Sequence, residues 1–163
     1  MIPFEHETVS RGANTHSLRP LRASFEQVPD NRLEDRQLMH MQRTFAPYGG
    51  MRGSTDIVRR LRDLCVQPVS VLAKWVVERK IVSFELQGQL LVPMFQFDAD
   101  MSIRAAVSQV LAELNDIFDS WDVACWFAQP NGWLTERPPV ALLYAEPSLV
   151  VSAARADRFL EGA

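Results

Sequence analysis

Ser102-Ile103-Arg104-Ala105-Ala106-Val107-Ser108-Gln109-Val110-Leu111-Ala112-Glu113-Leu114-Asn115-Asp116-Ile117-Phe118 is the stretch that settles the fold class. Its apolar residues Ile103, Ala106, Val107, Val110, Leu111, Leu114, Ile117 and Phe118 recur at i, i+3, i+4 and i+7, which gathers them on one face of a helix. A stripe of this kind must be buried, so other elements have to cover it. Asp98 and Asp100 stand just ahead. Carboxylates there satisfy free N–H groups at a helix start, and the competing reading, a pair of metal ligands, is the rarer one.

Downstream, Asp119 or Ser120 caps a further helix that runs to Gln129, where Pro130 ends it. Trp121 to Ala128 is apolar almost all round and so needs cover on most sides, from its own fold or from a partner. Pro138 and Pro147 open two more helices, Pro139 to Tyr144 and Ser148 to Leu160. They end in a short tail, Phe159 to Ala163, with nothing after it to pack against.

Upstream the period changes from 3.6 to 2. Val82, Phe84 and Leu86 alternate with Ser83, Glu85 and Gln87, and Gly88 allows a turn before Leu90 to Phe97, which predicts a β-hairpin over residues 81–97. Pro93 lacks an N–H, so the returning strand is expected to be an edge or to bend there. Before the hairpin, Ser54 or Thr55 caps a helix striped by Ile57, Leu61 and Leu64, and Pro68 opens another with Val69, Leu72, Val76 and Val77 inward. Leu38, Met41 and Phe45 mark a short helix ended by Pro47-Tyr48-Gly49-Gly50. Residues 1–32 show neither period and read as a flexible leader.

The helices at 55–64 and 68–79, with the hairpin after them, have the layout of a helix-turn-helix with a wing. Charge is distributed to match: residues 52–80 carry seven cations against three acids, a balance of +4, within a chain of net charge −3. Residues 81–163 carry four arginines against 11 acids, a balance of −7. Arg59, Arg60, Arg62, Lys74, Arg79 and Lys80 are therefore the candidate DNA contacts, because cations on phosphates gain from counterion release. A plain solvated helix face is the alternative for the same residues.

Catalytic groupings are thin. The three histidines, His6, His16 and His40, all fall in the weakly patterned first quarter and read as solvated surface residues, and none of the seven glycines builds a phosphate-cradling loop. Cys65 and Cys125 lack Cys-x-x-Cys spacing, and Cys125 lies in an apolar helical pattern where a thiol packs as a small hydrophobe. No apolar run approaches the length of a membrane span, and Met-Ile-Pro-Phe-Glu at the start is not a signal pattern, so a cytoplasmic protein is expected. An apolar fraction of 47% over 163 residues supplies a real core.

The C-terminal third holds the most specific pattern. Trp126-Phe127-Ala128-Gln129-Pro130-Asn131-Gly132-Trp133-Leu134, followed by Arg137-Pro138-Pro139-Val140-Ala141-Leu142-Leu143, resembles the toxin-binding domain signature of the Xre/MbcA/ParS-type antitoxins. Pro93-Met94-Phe95-Gln96-Phe97-Asp98 is similar to a segment found before that domain in a subgroup of such proteins. The resemblance covers residues 90–163, with a weaker match back to about 52. It departs at Glu136, where the family often has glycine, and after Leu143, where the Gly-rich pattern is missing.

In local terms, Pro130 and Asn131 stop a helix and turn the chain, Leu134 plugs the gap, Arg137 tethers the loop and Pro139 starts the next helix. The periods predict a mostly α protein with three parts, the leader 1–32, a helix-turn-helix-like part with its hairpin wing over 33–98, and a helical part over 99–163 that the resemblance implies is a toxin-binding domain. It implies a non-enzymatic antitoxin without cofactor that covers the active site of a RES-domain, NAD-consuming toxin. Trp126, Pro130, Asn131, Trp133, Leu134, Arg137, Arg158, Phe159 and Ala163 would be its toxin-facing residues. Operator DNA and a second copy of the chain are the further partners implied. A stand-alone adaptor or regulator without a toxin is the rival reading.

Overall fold

The structure is a computed structural model that describes residues 31–163, and these form one compact unit. Of the expected leader, only Asn31 and Arg32 fall within the described residues, where they begin the first helix. The elements run α1 (Asn31–Phe45), β1 (Met51–Gly53), α2 (Ser54–Leu61), α3 (Pro68–Val77), β2 (Phe84–Leu86), β3 (Gln89–Pro93), α4 (Ala105–Leu114), α5 (Ser120–Ala128), α6 (Pro139–Leu142) and α7 (Pro147–Glu161). The protein is mostly helical with one small antiparallel sheet, as the apolar periods predict.

Two apolar clusters make the core. The larger joins Met41 and Phe45 of α1, Phe84 of β2 and Phe95 to the inward faces of α4, α5, α6 and α7. The smaller joins Ile57 and Leu61 of α2, Leu72 of α3, Val92 of β3, Phe97 and Met101, and Ile103 packs against both. The expected division at 98/99 is therefore not a gap in packing: α1, β2 and Phe95 share a core with the C-terminal helices. Cover for the nearly all-apolar α5 comes from α1, α6 and β2, with Val123, Ala124, Cys125, Phe127 and Ala128 buried.

The sheet departs from a plain hairpin. β3 pairs with β2 through Phe84↔Leu91 and Leu86↔Gln89, and on its other side with β1 through Met51↔Pro93 and Gly53↔Leu91, so the strand containing Pro93 is central rather than an edge. Three residues, Met51-Arg52-Gly53, are too few to show a period, which is why β1 was not foreseen. Proline is tolerated in β3 because it sits last. On the β1 side the next residue makes the bond, Met94 N donating to Gly50 O at 2.9 Å. On the β2 side the register would set Pro93 opposite Val82, and there the Gln96 side chain replaces the ladder. Its Nε2 donates to Pro93 O (2.7 Å) and Val82 O (2.8 Å), while Val82 N donates to its Oε1 (2.6 Å). Gln96 is fully buried, and no buried side-chain N or O among the described residues lacks a partner.

Several boundaries shift for tertiary reasons. α4 starts later than Ser102 because Phe97 and Ile103 form an antiparallel bridge and Arg104 N donates to Gln96 O at 2.9 Å, holding the chain extended until Ala105, and it ends at Leu114 rather than Phe118. Asp98 and Asp100 do not cap α4. Asp100 instead accepts from Ser102 N (3.0 Å) and Ser102 Oγ (2.6 Å), and Asp98 pairs with Arg104 at 2.9 Å. α3 is rolled relative to expectation: Leu72 is buried with Val71 and Trp75 packing beside it, while Val69 and Val77 face solvent, as does Leu64 after α2.

Candidate functional site

The loop over residues 129–138 follows α5. Asp119 accepts from Asp122 N at 2.8 Å to start that helix, and Pro130 follows its C-cap Gln129. Asn131 N donates to Arg137 O (3.2 Å) and Glu136 N to Asn131 O (3.0 Å), closing the loop on itself. The Asn131 side chain turns inward, its Oδ1 accepting from Trp133 N at 2.9 Å, and Leu134 is buried beneath as the expected plug. Arg137 tethers the loop through its backbone rather than its guanidinium, and Pro139 occupies the first turn of α6.

Asp157 of α7 gathers the loop. Its Oδ2 accepts from Trp126 Nε1 (2.7 Å) and Asn131 Nδ2 (2.9 Å), and its Oδ1 from Trp133 Nε1 (2.8 Å). A carboxylate that accepts from three N–H donors at 2.7–2.9 Å orients all three. Sequence reading singled out all three donors and missed the acceptor, because one acid on an amphipathic helix looks like part of a solvated face. The tryptophans differ in role: Trp126 is half-buried, whereas Trp133 holds its nitrogen on Asp157 with 57% of its surface in solvent.

Thr135 (φ 56°) and Glu136 (φ 59°) both adopt left-handed backbone, which a side chain disfavours by about 1–2 kcal/mol and a β-branched residue most of all. A glycine at 136 would adopt that φ without the cost. Replacing Thr135 by glycine is expected to stabilise the protein by about 0.5–1 kcal/mol, strain relief outweighing the extra chain entropy. A thermal melt checks this, and an unchanged or lower Tm counts against a strained loop.

The next residue along α7 faces elsewhere. Arg158 pairs with Glu113 (3.2 Å) and Asp116 (3.6 Å), and Arg155 with Glu113 (3.1 Å), bracing α7 on α4. The hydrogen bond from Arg158, helped by Arg155, holds the Glu113 carboxyl below the usual glutamate range, so the brace is present at neutral pH and lost as acid protonates it. Such exposed pairs contribute at most about 1 kcal/mol each. With Ile117, Phe159 and Ala163 they line a groove of about 580 Å³. Phe159 is 76% exposed and Leu160 is exposed beside it.

The six DNA-contact candidates do not form one set. Arg79 is a clip between elements: its guanidinium donates to Asn115 O (2.6 Å) and Phe118 O (2.7 Å) at the end of α4, and Asn115 Nδ2 donates back to Arg79 O (2.9 Å). Reversing its charge would orphan those carbonyls, so it is no clean probe of DNA contact. Arg59 pairs with Asp56 at 2.7 Å and Lys80 with Glu78 at 2.6 Å. Arg60, Arg62 and Lys74 are exposed, and none of the three makes an ion pair among the described residues.

His40 is exposed but not merely solvated, its Nε2 donating to Ala128 O at 2.9 Å at the end of α5. Burial, with Asp122 and Asp119 nearby, pushes the Cys125 thiol up to about 11, consistent with a packing role rather than a nucleophile. No described helix is long and apolar enough to cross a membrane. No family model matches the chain, nor does any curated protein or solved structure.

Proposed function

We propose that this chain is a docking protein of the antitoxin kind, which neutralises a RES-domain, NAD-consuming toxin by covering its active-site cleft with the Trp133 loop and the end of α7. One observation carries the reading. Three residues of the antitoxin-like pattern, Trp126, Asn131 and Trp133, converge on Asp157, and the arrangement holds a large aromatic ring in solvent on a rigid, strained loop. Exposed aromatics on rigid supports are what interface anchors look like before binding. Phe159 and Leu160, two and three residues beyond Asp157, add apolar surface. Operator binding, also implied by the resemblance, has less behind it, since α3 presents valines to solvent and Arg79 is engaged within the fold.

The test is copurification with a RES-domain protein encoded beside this chain, followed by growth rescue on co-expression. Deleting Phe159 to Ala163 removes mostly exposed surface, so Tm should stay within about 2 °C while rescue is lost. A truncated protein that keeps its Tm and still silences the toxin would remove the tail from the inhibitory surface. Failure of the full chain to copurify would remove the reading itself.

A further inference from the structure

The α2–α3 pair carries a surface that the C-terminal reading does not use. Val69 is 65% and Val77 82% exposed on α3, and Val66 just before it is 98% exposed. With Val58, Leu72, Val76 and Leu90 the first two wall a groove of about 560 Å³ between α2, α3 and β3, Ser54 and Thr55 lying at the start of α2 and Arg62 just past its end. Val66, Val69 and Val77 belong to neither core cluster and lose free energy in water, and exposed apolar surface of this kind marks a docking site. Val66 and Leu64, in the turn that joins the two helices, are exposed as well. A trough between two helices suits a third helix, laid in by residues at i, i+3, i+4 and i+7.

Charge selects among occupants. Arg62 lines the groove and Lys74 is exposed on α3, whereas Arg60, about 200° round α2 from Val58, lies off the groove. Neither Arg62 nor Lys74 makes an ion pair among the described residues, and Asp63 is the one acid of these helices and their joining turn not already paired, since Asp56 is taken by Arg59. A second copy seated on the same face would set these cations against themselves across a two-fold axis. Duplex DNA would meet the Val69 and Val77 side chains where polar groups are needed to read bases. We propose that this groove docks an amphipathic helix of a partner protein, its apolar face between α2 and α3 and its flanking positions acidic. The proposal is independent of the toxin reading.

The probe is a designed helical peptide of about 18 residues, some five turns, with leucines at the four core spacings and flanking glutamates. Its twin has lysines in place of the glutamates. Each is titrated into the full-length protein by fluorescence anisotropy, with backbone amide NMR shifts to place the contact. Expected are shifts centred on Val58, Val69, Ala73 and Val77, and binding at least about tenfold weaker for the lysine twin, the gap narrowing with salt. Val69→Glu with Val77→Glu should abolish binding at unchanged Tm, since both side chains are exposed. Arg62→Glu with Lys74→Glu should reverse the preference between peptides.

Equal binding of the two peptides, binding of neither, or shifts elsewhere overturns the proposal. So does dimerisation in sedimentation equilibrium that V77E removes, which assigns the face to a second copy. A duplex-DNA gel shift lost in R62E/K74E but kept in V69E/V77E assigns it to nucleic acid.

Discussion

Replacing Asp157 by alanine is expected to lower stability by about 3 kcal/mol, a fall in Tm of roughly 6–12 °C for a domain of this size. Three N–H donors lose their acceptor at once. Asn131 is buried, so its amide pays the full cost of an unmet donor, while the half-buried Trp126 and exposed Trp133 regain water in part. Asp157→Asn keeps the shape and one good acceptor oxygen, so about half the loss should remain. Thermal melts read the stability, and cleavage after Glu136 by a glutamate-specific protease reads the loop. If the alanine variant melts like the parent, Asp157 is not the organising acceptor and the loop is held by Leu134 alone.

Gln96→Leu should cost more still, about 3–5 kcal/mol, and many degrees of Tm. The substitution nearly preserves volume, but it strips a buried position of an amide that serves Val82 N, Val82 O and Pro93 O. Those backbone groups would be orphaned between the two apolar clusters, where neither strand nor solvent can take them. Gln96→Glu separates the possibilities. It keeps an acceptor for Val82 N but aims a carboxylate at two carbonyl oxygens, so it should be no better than leucine. A leucine variant of parental stability, by chemical denaturation, would mean that water reaches Val82 and Pro93.

How far the sequence could be read depended on range. The period of Val107, Val110, Leu111 and Leu114 gave α4 directly, and Pro68, Pro139 and Pro147 each opened a helix as their fixed φ requires. The two-residue turn at Gln87-Gly88, both at positive φ, matched the alternation beside it. What stayed hidden depends on residues far apart in the chain: Arg79 reaching Asn115 and Phe118, Gln96 reaching Val82, Asp157 reaching the loop. Each is a polar side chain that, taken locally, belongs to a solvated face. The roll of α3 was hidden for a related reason, since Val69 and Val77 are as apolar as Val71 and Leu72 and only the floor beneath decides which go down. Of the loop, the donors were legible because tryptophan and asparagine around a Pro-Asn turn are unusual, whereas an aspartate on a charged helix is not.

Adjacent residues Asp157 and Arg158 are held from different directions, the first by the loop and the second by α4. Consecutive side chains on a helix point about 100° apart, so the two attachments do not share a line of action. Turning α7 about its own axis to relieve one would shear the other, and sliding it lengthwise would shear both. The helix end is thus restrained in rotation as well as translation by side chains at successive positions. Phe159 and Leu160 ride on that restrained segment, which removes most of the orientational freedom their exposed surface would otherwise have to surrender on contact with a partner.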